Sequence, residues 1–149
     1  MKKEIAFGIA VCVVLSAPRQ AAAEEPSKGP DPCTLVDKAA LAGLFGELKE
    51  GPTPGSGLRN ERQCDYTNMT GSWIKFSLYS GMDRWEWEKG MANAQNPKDL
   101  AGLGDEAFAI KRGSDSVVYV RKGESILELS CSCSRDVAEK IARKAAGKL

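Results

Sequence analysis

The stretch that most limits how this chain can fold is residues 100–133. It holds three apolar-rich runs, Phe108 to Lys111, Ser116 to Lys122 and Ser125 to Cys133. Only Arg112-Gly113-Ser114-Asp115 and Lys122-Gly123-Glu124 separate them. Turn residues stop each run before it can reach helix length, and the β-branched and aromatic content suits a pleated surface. The pattern predicts an antiparallel meander. In the middle run Val118 and Val120 alternate with Val117 and Tyr119, so both faces are apolar and the strand is predicted to be central and covered on each side. In the last run Leu127, Leu129 and Cys131 alternate with Ile126, Glu128 and Ser130, which predicts one dry face.

The entry to the meander is Leu100-Ala101-Gly102-Leu103-Gly104-Asp105-Glu106-Ala107. Its glycines precede a strand and do not join a strand to a helix, so they predict a tight entry and not a phosphate loop. Asp105 and Glu106 are adjacent on an extended chain and point to opposite faces. They are not an acid–base couple, and solvated loop charge is the expected role.

Upstream, Asp37 is placed to cap a helix carrying the stripe Leu41, Leu44 and Phe45, which Gly46 stops; Val36 and Leu41 suit a hydrophobic staple. Gly51-Pro52-Thr53-Pro54-Gly55-Ser56-Gly57 reads as loop. Glu61 to Met69 and Ser72 to Ser80 predict a hairpin, with Ile74, Phe76 and Leu78 facing the core. Asn68-Met69-Thr70 matches a glycosylation acceptor, which means something only in a eukaryotic secretory pathway; a short exported chain fits a bacterium better, so the match is read as chance. Gly81 to Gln95 predicts a second helix, with Arg84, Glu88 and Lys89 on its charged face. Trp87, Met91 and Ala94 share one stripe, and Met82 and Trp85 an adjoining one; the ordinary reading is core plus one half-exposed indole, and the functional reading is a tryptophan edge for a ligand or a partner protein. Ser134 is placed to cap a terminal helix whose inward residues are Val137, Ala138, Ile141 and Ala145, with Lys140, Arg143, Lys144 and Lys148 solvated.

The start of the chain reads as an address. Lys2-Lys3 precedes an uncharged apolar run, Ile5 to Ala17, and Ala21-Ala22-Ala23 suits a cut before Glu24. Residues 1–23 are predicted to be a secretory signal, with no stable membrane span after cleavage; the alternative is an uncleaved N-terminal anchor. Cys12 is an apolar filler within it, since Val11 before it does not suit a lipidation site. Residues 24–30 are a flexible leader, and 31–149 form one domain. Export places Cys33, Cys64, Cys131 and Cys133 where thiols are oxidised, in the periplasm or outside the cell. Three pairings are possible. Cys33 with Cys64 and Cys131 with Cys133 is favoured, although strand residues two apart lie about 6.6 Å from each other and need a sharp turn at Ser132 to bond. In the alternative, Cys131 or Cys133 reaches Cys64.

Composition narrows the function. The chain has no histidine, which removes the usual general base and the usual metal ligand. Cleavage of the signal moves the formal charge from +1 to −1, so nothing electrostatic favours a nucleic-acid partner. The first reading is a non-catalytic exported module, without cofactor, that binds an unidentified protein or small ligand through a tryptophan edge at Trp85 and Trp87. The second is thiol chemistry or a Cu(I) clamp at Cys131 and Cys133, aided by Met69, Met82 or Met91. A hydrolase using Asp105 or Glu106 is a weaker third.

The order of motifs resembles a family of small exported bacterial proteins and lipoproteins, actinobacterial and proteobacterial, classed as a domain of unknown function. Its signature elements are Asp31-Pro32-Cys33, the helix from Leu41 to Gly46, Cys64-Asp65-Tyr66 and Gly102-Leu103-Gly104-Asp105-Glu106-Ala107. This chain departs from the pattern in lacking a lipidation cysteine and in carrying Cys131 and Cys133. The resemblance implies an α+β fold and a disulfide from Cys33 to Cys64, and it implies no activity. Together with the residue patterns, it predicts an antiparallel sheet of about five strands (hairpin plus meander) with three helices. That element order is shared, by analogy, with Mog1/PsbP-like sandwiches.

Overall fold

The computed structural model describes residues 29–57 and 61–149. The proposed signal, residues 1–23, and all but the end of the leader lie outside the described residues. Among the described residues the fold is α+β, with a fully antiparallel sheet and three helices. The helices are α1 (Lys38–Phe45), α2 (Met82–Asn93) and α3 (Arg135–Ala146), and a single 3-10 turn at Pro32–Thr34 precedes them.

The sheet has seven strands, not about five. They are β1 (Leu48–Ser56), β2 (Arg62–Asn68), β3 (Trp73–Ser80), β4 (Lys98–Asp99), β5 (Glu106–Arg112), β6 (Asp115–Lys122) and β7 (Ser125–Cys131), in the spatial order β1-β2-β3-β7-β6-β5-β4. The two additions are at the edges. β1 runs through the stretch that its glycines and prolines predict to be loop. An edge strand needs donors on one side only, so Pro52 and Pro54 are tolerated there. Register shifts between Leu48 and Glu50 and between Glu50 and Thr53 absorb the irregular backbone. β4 is two residues long and pairs Lys98 with Ala109 and Asp99 with Phe108.

The path explains the layering. The hairpin β2–β3 leads into α2, which crosses one face of the sheet to the far edge. The chain then returns through β5 and β6, and β7 closes against β3, with Phe76 opposite Leu129. α1 and α3 cover the other face. Val118 and Val120 of β6 pack into the α1/α3 core, while Val117 and Tyr119 pack under α2 with Trp85 and Ala92. β6 is therefore central and covered on both sides, as its pattern predicts. α3 starts at Ser134, whose Oγ accepts from the Val137 amide, and it buries Ala138, Ile141 and Ala145. Asp37 precedes α1 without a side-chain cap bond; its carboxylate lies 3.5 Å from Lys148 Nζ instead.

The local knots have specific causes. Gly104 has φ +63°, and a β-carbon there would run into the Arg121 carbonyl oxygen. The next residue, Asp105, is not merely solvated: it accepts from the Gly123 amide at 2.7 Å and fixes the β6–β7 turn. Asn68 is buried; its amide nitrogen donates to the Phe45 carbonyl at 2.8 Å, while its oxygen accepts from the Ser72 amide at 2.9 Å and from the Thr70 hydroxyl at 2.8 Å. The acceptor-like triplet is thus a clasp between the end of α1 and the β2–β3 turn. Cys33 and Cys64 lie at disulfide distance, and so do Cys131 and Cys133. The second pair is brought together by a turn that Ser132 pins to β3. Trp73 donates its amide to Ser132 Oγ at 2.8 Å, and the Ser132 amide donates to the Trp73 carbonyl at 3.0 Å.

Candidate functional site

The site develops where α2 leaves β3. The face of the sheet under α2 is half polar: Tyr79 of β3, Arg112 of β5, Tyr119 of β6 and Glu128 of β7 converge there with Arg84 and Glu88 of α2. Burial of two carboxylates without partners would be prohibitive, so the interior is organised around satisfying them. Tyr79 donates to Glu128 at 2.9 Å and Ser130 Oγ donates to the same carboxylate at 3.1 Å. Arg112 lies 3.6 Å from Glu128 and donates to the Tyr119 hydroxyl at 2.9 Å. Glu88, only 4% exposed, takes an ion pair of 2.6 Å from Arg84 one turn earlier.

The electrostatics follow from burial. Desolvation pushes the Glu88 carboxyl above the ordinary glutamate value, against the pull of Arg84. Desolvation, and then the charges of Glu128 and Glu88, drive both the Tyr79 and Tyr119 hydroxyls far above the ordinary tyrosine value. Both phenols therefore stay protonated, which keeps Tyr79 a donor to Glu128. The network reaches Arg84 through its ion pair with Glu88.

Arg84 lines a groove of about 640 Å³ together with Tyr79, Trp87, Glu61, Asp83, Ser80 and Gly81. The guanidinium sits 4.7 Å from the Tyr79 ring centroid and 4.8 Å from that of Trp87, within cation–π range of both. Trp87 remains 55% exposed and Met91, one turn further along the same side of α2, is 54% exposed.

The two tryptophans proposed as a binding edge are therefore separated. Trp87 forms the groove wall. Trp85 is fully buried, packs 5.3 Å from Phe108 and donates its indole N–H to Glu106 at 2.8 Å. Residues two apart on a helix point to nearly opposite sides, so a tryptophan in the core turns its neighbour outward. Glu106, expected to be solvated, is held by Trp85 and by an ion pair with Lys89. Glu88, expected on the charged outer face, points inward with Trp85 and Ala92. Tyr79, Arg84, Glu88, Tyr119 and Glu128 carry no sequence motif. The strand register, which sets Tyr119 opposite Glu128 and Tyr79 opposite Ile126, and the packing of α2 over that face assemble them.

At the other sulfur-bearing place, Cys131 is fully buried in the α1/α3 core and Cys133 packs at its margin. Met82 and Met91 lie on α2, across the sheet from both cysteines. Among the described residues, no group of three or more histidine, cysteine or acidic residues is placed to hold a metal. No family model, curated protein or solved structure matches the chain.

Proposed function

We propose that this chain is an exported, non-catalytic binding module whose ligand seat is the groove between Tyr79 and Trp87. The observation that carries the reading is that groove: an aromatic-walled depression of about 640 Å³, within the roughly 300–1,000 Å³ typical of ligand sites. An exposed indole beside it is the residue type that most often anchors recognition. The hydrogen bonds and ion pair around Arg84 and Tyr79 support the same reading, because a seat organised before binding loses less entropy when it is filled. Placement in the periplasm or outside the cell draws support from the two cysteine pairs at disulfide distance and from the signal-like composition of residues 1–23. Among the described residues, no helix is long and apolar enough to cross a membrane. The arrangement of helices on both sides of one sheet is compatible with a Mog1/PsbP-like sandwich, an analogy that concerns fold alone.

The test is capture of partners from the exported protein fraction by the full chain and by Trp87→Ala. A partner held by the first and lost by the second supports the groove. Equal retention by both, or turnover of a substrate by the pure protein, overturns the reading.

One observation favours thiol chemistry as a second reading: Cys133 immediately precedes the N-terminus of α3, a position that stabilises a thiolate. Full burial of Cys131 works against it, since exchange needs access to a sulfur. Exchange of the Cys131–Cys133 pair with a mild dithiol, leaving Cys33–Cys64 intact, would favour the thiol reading over the binding one.

A further inference from the structure

We infer that the groove and the adjoining Trp87–Met91 stripe dock a basic, apolar-flanked segment of a partner protein, whose arginine or lysine side chain enters the groove. The inference rests on the binding reading above and adds the chemistry of the partner.

Charge decides the sign. Arg84 is the one cation lining the groove among the described residues, and its charge is engaged by Glu88 at 2.6 Å. Glu61 and Asp83 also line the groove, and neither is in an ion pair among the described residues. Among the described residues the local balance is therefore negative, which draws in a cation and repels an anion. An anionic ligand would also compete with Glu88 for Arg84.

The walls suit the same ligand. The Arg84 guanidinium occupies one face of each of Tyr79 and Trp87, so the surface left for an incoming flat cation is the open part of Trp87, which is 55% exposed. The apolar surface then separates a protein segment from a free amine. Met91 continues the exposed side of α2 beyond the groove, at the i,i+4 spacing that lets it share a contact with Trp87. A small amine in the groove would leave that stripe in water, whereas a segment with an apolar residue beside its cation covers both.

The test uses the full chain, with the indole N–H signal of Trp87 followed by NMR and assigned through Trp87→Phe. The probes are capped Leu-Arg-Leu, Leu-Gln-Leu and Leu-Glu-Leu tripeptides, and ethylguanidinium as the free cation. Saturable movement of the Trp87 signal by Leu-Arg-Leu is expected, at least tenfold tighter than by Leu-Glu-Leu. Glu61→Gln and Asp83→Asn should each weaken it about fivefold at low salt, with an unchanged Trp85 signal reporting an intact fold. Met91→Ala should remove the advantage of the tripeptide over ethylguanidinium. If Leu-Glu-Leu or Leu-Gln-Leu binds at Trp87 as tightly as Leu-Arg-Leu, the cationic assignment is overturned and the groove stands as a site. If ethylguanidinium binds as tightly as Leu-Arg-Leu, the protein-segment assignment is overturned. If no probe moves the Trp87 signal, this inference and the groove reading both fall.

Discussion

Tyr79 donates its phenolic proton to Glu128 at 2.9 Å, across the seam where β3 meets β7. The bond joins the hairpin to the meander from beneath α2 and removes part of the cost of an inward carboxylate. Tyr79→Phe keeps the ring against Arg84 and takes away only the donor. A hydrogen bond to a charged group contributes roughly 1.5–3 kcal/mol. The variant should lose about 2 kcal/mol in urea denaturation, with little change in the groove. A loss below about 0.5 kcal/mol would show that Ser130 and Arg112 satisfy Glu128 without it.

Glu88 and Glu106 should respond to pH in opposite directions. Burial raises Glu88 above the ordinary 4.5, so the folded chain holds that proton more tightly than the unfolded one. Its contribution is complete below the unfolded value and is lost as pH rises through the folded one. Glu106 is lowered, chiefly by its bond from Lys89. Its contribution is present above the unfolded value and is lost as pH falls through the folded one. The stability gap between the parent chain and Glu88→Gln should therefore narrow from about pH 4 to about pH 7, while the gap to Glu106→Gln widens. Urea titrations at several pH values measure both, and parallel trends would contradict the assignment.

The two cysteine pairs should differ in thermodynamic weight. Cys33 and Cys64 are 31 residues apart in sequence, whereas Cys131 and Cys133 are separated by 2. Loop-closure entropy gives about 3–4 kcal/mol for the long loop and about 1–2 kcal/mol for the short one. Paired serine substitutions, compared by thermal unfolding, should fall in that order. Alkylation without reductant should label none of these four cysteines in the exported protein.

Gly104 and Gly102 look alike in sequence and should not behave alike. Both have positive φ, but only at Gly104 would a β-carbon meet backbone, the Arg121 carbonyl. Gly102→Ala should cost about 1 kcal/mol from conformation alone. Gly104→Ala adds a clash and should cost about 2–4 kcal/mol. Equal losses in the two variants would mean that the β6–β7 turn moves aside freely.

The parts of this fold legible in sequence are those where one physical requirement dominates. β6 is apolar on both sides because a layer covers each side, and α3 has a clean inward stripe because it lies on an apolar face. α2 is obscure for the opposite reason. It covers a half-polar sheet, so Glu88 belongs inside and Trp87 outside, and the usual separation of polar from apolar breaks down. The last strand shows the same effect: Glu128 makes its second face look wet, yet Tyr79 and Arg112 enclose that carboxylate. β1 is hidden by Pro52 and Pro54, which argue against a strand everywhere except at an edge. The groove is hidden because its walls come from β3 and α2, and no spacing within either one announces the other.

Both borders of the sheet are poor templates for another chain. One is a strand interrupted by two prolines, and the other ends in a lysine–aspartate pair two residues long. A protein built this way can accumulate at high local concentration without its copies zipping together through their backbones. Associations through side chains, where partners can be told apart, are favoured over backbone pairing at these edges.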